Sequence, residues 1–309
     1  MKRNKKSSVL VKVPASTSNL GPGFDVLGLA LALENRLEAA YDPDLRGLRI
    51  EIEGEGAGTL PRDSRNLAWA AMRRTLSRLR APLGGYRLRQ TNRIPLVRGL
   101  GSSASACLAG VLAADALWGR RLSRDEILEI AAGMEGHPDN VVPALLGGLC
   151  VSAATRGGIR HIRFEPPKGL RAVVCVPDFE FPTRRAREIL PVRVSREDAV
   201  FNVSRTALLV GALLSGRAGL LREAMEDRLH QPYRGRLIPG LSRVIAAGLR
   251  AGAFGAALSG AGPSVFAFSR PSRAAAVGRA MAAAFRRAGV TAESRVLDFS
   301  AAGARAERR

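Results

Sequence analysis

The chain has 309 residues, room for two domains of ordinary size, and 46% of them are hydrophobic but only 5% aromatic, which excludes a disordered chain and leaves cores of Ala, Leu, Val and Ile. The formal charge of +21 comes from 43 Arg and 5 Lys against 27 acids; apart from the opening MKRNKK and the closing RAERR these are scattered, which favours arginine-for-lysine replacement over a nucleic-acid surface, with steering of anionic ligands as a by-product. No apolar run reaches the roughly 18 residues of a membrane helix, and Cys107, Cys150 and Cys175 have neither metal-ligand nor CxxC spacing, so a reduced cytoplasmic protein is expected.

Residues 9–13 (VLVKV) predict a strand, and after a loop rich in Ser, Asn and Gly residues 24–33 (FDVLGLALAL) predict another. RLEAAYD and LRIEIEG predict two more, the latter alternating at Leu48, Ile50 and Ile52. Apolar positions at Leu67, Ala71, Leu76 and Leu79 predict an amphipathic helix over 65–80. YRLRQ is a short strand, and the loop RIPLVRGLGSS leads into ASACLAGVLAADALW, a helix apolar enough to be buried. The next helix spans 123–136, where Ser123 and Glu126 have capping-box spacing. LCVSAAT is a strand. The paired Pro166 and Pro167 mark the boundary between domains at 1–166 and 167–309. Beyond it come a strand (RAVVCVP), helices over 184–190, 195–214 and 217–229, and a strand–turn–strand unit, GAALSGAGPSVFAFS. A helix over 272–288 and a strand, AESRVLDFS, follow, and AAGARAERR is expected to fray. Strands and helices in this order favour an α+β protein over a doubly wound parallel sheet.

The segment GLGSSASA, residues 99–106, opens a helix. Glycines let backbone approach a phosphate, free N–H groups at a helix start attract negative charge, and the hydroxyls of Ser102 and Ser103 offer a ligand to Mg²⁺. A structural cap alone would also explain these glycines. The loop lacks the lysine of a Walker A motif and has no GxGxxG pattern.

PLVRGLGSSASA resembles the second motif of the galactokinase, homoserine kinase, mevalonate kinase and phosphomevalonate kinase (GHMP) superfamily. VKVPASTSNLGPGFDVLGLAL (11–31) is similar to its first motif and ALSGAGPSVFAF (257–268) to its third, in the same order along nearly the whole chain. The resemblance implies an α+β, two-domain kinase with a ribosomal-protein-like N-terminal ATP-binding domain and a ferredoxin-like C-terminal α/β sandwich. It also implies ATP and Mg²⁺ as cofactors and a homodimer. The ATP site would comprise Asn66, Pro95, Arg98, Gly99, Leu100, Gly101, Ser102, Ser103 and Ala104. Ser103 would share the metal with Glu129, and Glu126, one turn away, is the alternative acid.

Within the superfamily, SNLGPGFDVLGLAL, FPTRRAREILP, EGHPDNVVPALLGG and QPYRGRLIPGL resemble the homoserine kinase branch, which feeds threonine synthesis. By that resemblance Asn19, Asp25, His137, Asn140, Arg187, Arg234, Gly260 and Gly262 bind L-homoserine, and Asp139, Asn140 and His137 stand at the reacting hydroxyl. The residue types suit the ligand, since a zwitterion calls for arginine forks at its carboxylate and acidic or amide oxygens at its ammonium. Among 43 arginines, however, residue type alone selects none. Ser16 and Thr17 occupy the first-motif position where other branches carry a basic partner for a catalytic Asp, so Asp139 has no evident lysine and no strong general base is expected. Two other readings stand beside this one. A different acceptor alcohol, with shikimate harder to exclude than an isoprenoid, is the first. An RNA-binding protein is the second, disfavoured by the few aromatics and the lack of a basic-aromatic motif.

Overall fold

The computed structural model describes residues 6–309, so Lys2, Arg3 and Lys5 of the basic opening lie outside the described residues. Two long strands begin the fold, β1 (Ser7–Asn19) and β2 (Gly23–Tyr41), paired antiparallel nearly end to end. The two predicted strands over 24–42 are therefore one. A shift of register between Pro14 and Ala15 bends the pair. Next come β3 (Leu48–Gly54), α1 (Leu67–Arg78) and β4 (Tyr86–Asn92), with β3 and β4 parallel. Three helices follow, α2 (Ser102–Leu117), α3 (Arg124–Glu135) and α4 (Val141–Leu146), and then the hairpin β5 (Leu149–Thr155) and β6 (Gly158–Phe164).

After Pro166 and Pro167 the chain enters β7 (Arg171–Pro177), α5 (Thr183–Glu188) and α6 (Arg196–Leu214). The helix expected over 217–229 is broken. A 3₁₀ turn leads into α7 (Leu221–Ala224), and the Asp227 carboxylate then accepts from the backbone N–H groups of Leu229, His230 and Gln231. An aspartate that satisfies three backbone donors by itself competes successfully with a helix. Beyond it lie α8 (Gln231–Arg234), α9 (Leu241–Arg250), β8 (Ala253–Leu258), β9 (Val265–Ser269), α10 (Pro271–Arg287), β10 (Ala292–Leu297) and β11 (Arg305–Arg308).

The first sheet runs β11-β1-β2-β4-β3, with β5 paired to β2 and β6 to β5; the second runs β10-β7-β9-β8, all antiparallel. This is the expected α+β architecture of two domains, with one correction at the C-terminus. The tail does not fray: β11 pairs with β1, Ala304 N–H donates to Ala144 O, and Arg308 Nε and Nη2 donate to Ala116 O at the end of α2. RAER has no apolar pattern, so backbone bonds and an arginine fork hold it where periodicity gives no signal. The last residues of the second segment thus belong to the first sheet.

β7 shows why the domains pack as they do. Ala172, Val174 and Val176 face a core shared with Leu27, Leu29 and Leu31 of β2, while Val173 and Cys175 face a second core under α9 and α10. A strand covered on both faces reads as an unbroken apolar run, here AVVCV. Among the described residues no helix is long and apolar enough to cross a membrane.

Candidate active site

The turn before α2 brings the three motifs together. Gly99 and Gly101 both have φ of +71°, a region glycine enters without cost. A Cβ on Gly99 would lie 2.1 Å from Ser259 O, and one on Gly101 2.2 Å from Ser16 Oγ. Ser259 Oγ in turn lies within hydrogen-bonding distance of Gly99 O (2.7 Å) and Thr17 Oγ1 (2.9 Å). Motif one, motif two and motif three therefore meet at a point where side-chain bulk is excluded. Gly101 caps α2 with no side-chain bond to the helix start, which leaves its first N–H groups for an anion.

Against this loop lies a cavity of about 300 Å³. Its walls include Asn19, Asp25, Arg98, Gly99, Leu100, Gly101, Ser102, Ser103, Glu135, His137, Asp139, Asn140, Arg187, Arg234 and Gly260. A second cavity of about 270 Å³, between Leu60, Asn66, Gln90 and Leu96, shares Val97, Ser102 and Ser103 with the first. A larger void of about 1010 Å³ lies far along the chain, around Phe164–Leu170, α6 and α10, and brings together none of the three motifs. Chemistry rather than size marks the site.

Each polar wall is held from behind. Asn140 accepts from Ser16 Oγ at 2.9 Å and donates to Ser18 Oγ at 2.8 Å. Asn19 Nδ2 donates to Gly260 O at 2.9 Å while its Oδ1 accepts from the Asp25 N–H. Asn19 and Asp25 have φ of +68° and +57°, a conformation the short Asn and Asp side chains tolerate best after glycine. Arg187 clasps Asp25 in a bidentate pair at 2.6 and 3.0 Å. Arg234 is buried, and burial together with the charge of Arg187 brings its pKa down to about 10, still cationic at neutral pH.

Asp139 is buried 2.5 Å from His137 Nδ1. Burial disfavours the charge on both. Their hydrogen bond and mutual attraction outweigh it, so Asp139 sits below its ordinary pKa and His137 above its own.

Several expected site residues do not turn their side chains toward the first cavity. Glu129 is turned toward Gly158, and it is Glu135 that accepts a short hydrogen bond from Ser103 Oγ. Six positions along α3 carry a side chain about 9 Å down the axis and 120° around it. Pro95 borders a separate groove beside Pro177, and the Arg98 guanidinium donates to Pro177 O and Leu96 O rather than presenting its fork to the loop. Ala104 is buried in the first core, since the helix turns it away from the cavity. Gly262 backs the site without lining it, and a Cβ there would meet Leu258 and Ile238. Asn66 caps α1, accepting from Trp69 N–H and Gln90 Nε2 and donating to Pro61 O, in the wall of the second cavity. The missed residue, Glu135, opens the EGHPDN segment itself, directly before the αL glycine that ends α3; the signal was adjacency to the motif rather than helical spacing. Ser16, Ser18 and Thr17, which buttress Asn140 and Ser259, carried no sequence signal beyond their place in the first motif.

A lysine-free phosphate loop on this two-sheet fold defines a small-molecule kinase of the GHMP class. The GHMP kinases N-terminal domain model matches residues 66–148 and the GHMP kinases C-terminal model residues 209–287. A homoserine kinase of Symbiobacterium thermophilum is 49% identical over 307 residues, covering 96% of this chain and 94% of that one. One of Moorella thermoacetica is 47% identical over 283 residues, covering 91% and 94%. The crystal structure of homoserine kinase from Cytophaga hutchinsonii superposes with a TM-score of 0.88 at 32% identity over 99% of both chains. The chain belongs to the homoserine kinase family.

Proposed function

We propose that this chain transfers the γ-phosphoryl group of ATP to the side-chain hydroxyl of L-homoserine, forming O-phospho-L-homoserine for threonine synthesis. One observation carries the acceptor assignment: the Asp25–Arg187 bidentate pair and Arg234 share a small cavity with the phosphate loop. An ion pair of that kind is the charge complement of a zwitterion. The amino acid's ammonium replaces Arg187 at Asp25, and its carboxylate takes the two guanidinium groups, so both charges stay paired as the ligand enters. Asn19 and Gly260 fix the Asp25 side of the pocket, and Asn140 and His137 face the hydroxyl.

ATP places its phosphates on the α2 N-terminus and its base in the neighbouring cavity beside Asn66. Ser103 and Glu135 offer adjacent oxygens at the loop, a donor set that suits Mg²⁺, which takes few protein ligands and keeps waters and phosphate oxygens. Bound there, Mg²⁺ would neutralise phosphate charge. The protein's own part is positioning. Asp139, held below its ordinary pKa by its hydrogen bond and attraction to His137, is a weak base, so the hydroxyl proton leaves late, to a phosphate oxygen.

A coupled ADP-release assay over L-homoserine, L-serine, shikimate and mevalonate tests the acceptor. Turnover should be fastest with L-homoserine; turnover of another alcohol with none of homoserine rejects the acceptor and spares the kinase. Arg234→Ala should raise KM for homoserine about 10–100-fold with little change in KM for ATP.

A further inference from the structure

Behind the proposed carboxylate-binding arginine lies a buried network that the phosphoryl transfer does not touch. Arg234 is 1% exposed and His230 0%. Arg234 Nε donates to Ala186 O at 3.1 Å, and Nη1 donates to Gly260 O and to His230 Nδ1, both at 3.1 Å. A guanidinium has five N–H donors. These bonds occupy the donors on Nε and Nη1, and the remaining two sit on Nη2 of a side chain that lines the cavity.

His230 Nε2 lies 2.7 Å from Gly21 O. A carbonyl only accepts and a guanidinium only donates, so the ring must be the neutral Nε2–H tautomer with a bare Nδ1 facing Arg234. Burial presses the same way, lowering the pKa of the ring. The Asp227 carboxylate, 3.5 Å from Nε2, is already engaged by Asn202 Nδ2 and by the N–H groups of Leu229, His230 and Gln231. Phe24 closes the group: its ring stacks on His230 at 5.3 Å, with the guanidinium carbons of Arg234 and Arg187 at 5.3 and 5.6 Å from its centre. Such a face attracts both cations and limits their swing.

We infer that His230 is a positioning residue for the acceptor: its bare Nδ1 accepts a hydrogen bond from one Nη1–H of Arg234 and so turns the two Nη2–H groups toward the substrate carboxylate. The inference rests on the homoserine reading above. Without that acceptor a buried N–H would be left unpaired, and the fork would rotate to recover a partner. The bond from Nε2–H to Gly21 O is a separate matter, anchoring the turn between β1 and β2.

Two substitutions separate these roles. His230→Gln keeps an N–H near the Nε2 position and loses the Nδ1 acceptor; His230→Asn keeps an oxygen near Nδ1 and loses the bond to Gly21. H230Q should raise KM for L-homoserine about tenfold while KM for ATP and kcat stay within about twofold. H230N should remain near wild type in all three. An unchanged homoserine KM in H230Q, equal rises in both KM values, or an H230N as impaired as H230Q overturns the positioning role. Should H230Q not fold, His230→Ala beside H230N decides, since both lose the bond to Gly21 and only Asn keeps an acceptor near Nδ1: a homoserine KM about tenfold higher in H230A than in H230N supports the role, and equal values overturn it. A wild-type enzyme with no turnover of homoserine removes the acceptor assignment itself, a different failure read from the same plate.

Discussion

Ser103 and Glu135 meet at the edge of the phosphate loop, where the Ser103 hydroxyl donates to the Glu135 carboxylate in the wall of the cavity. Glu135→Gln should raise the Mg²⁺ concentration for half-maximal rate about tenfold, whereas Glu129→Gln, facing Gly158, should leave it unchanged. A magnesium titration of both variants checks this, and the reverse order would restore Glu129. At the His137–Asp139 pair the signs are opposite. His137 lies above its ordinary 6.5, so its stabilising contribution is complete below that value and is lost as pH rises through the folded pKa. Asp139 lies below its ordinary 3.8, so its contribution is complete above that value and is lost as pH falls through the folded pKa. The pair contributes most between 3.8 and 6.5. His137→Gln should therefore cost most Tm in that window and progressively less as pH rises through the folded pKa of His137. A pH-independent loss in thermal melts would show that the hydrogen bond stabilises no charge.

Among the elements, α2 and β11 illustrate opposite ways of being held. α2 is apolar on nearly all sides, so its burial between α1, α3 and the first sheet was legible as an Ala-rich helix after a Gly-rich turn. β11 is polar, and its place depends on the edge of β1, on Ala144 and on the end of α2. Ending the chain at Ala304 removes four ladder residues and the Arg308 fork on Ala116 O, and should lower Tm by about 2–6 °C. An unchanged Tm would mean the strand adds nothing. The break after α7 is likewise local chemistry, since one Asp227 carboxylate gathers three backbone donors that a continuing helix would have used.

For the whole molecule the shared core is the decisive feature. Phe266 and Phe268 on β9 pack edge to face with centres 4.7 Å apart, in one cluster with Leu27, Leu29 and Leu31 of β2. Neither domain buries that surface without the other. Phe266→Ala should cost about 3–5 kcal/mol and still leave a single unfolding transition in calorimetry. Two separated transitions would show that the domains unfold independently. Joining them rigidly has a functional reading: Asn140 belongs to the first domain and Gly260, Arg187 and Arg234 to the second, so the cavity keeps its shape only if the interface does.

Residues adjacent in the chain carry most of what is legible without coordinates. The Lys-free GLGSS loop, the first and third motifs, the capping box at Ser123 and the α+β order all depend on neighbours within about a dozen positions, where hydrogen-bonding and steric rules act directly. The membership of Asn19, Asp25, His137, Asn140, Arg187 and Arg234 in a single pocket was legible only through motif likeness, because nothing in residue type distinguishes one arginine among 43. Tertiary structure alone decided that Glu135 rather than Glu129 meets Ser103, that the polar tail closes the first sheet, and that His230 stands behind Arg234. Those are contacts of orientation, set by helical phase and by partners up to some 300 residues away, and no local pattern encodes which way a side chain must turn.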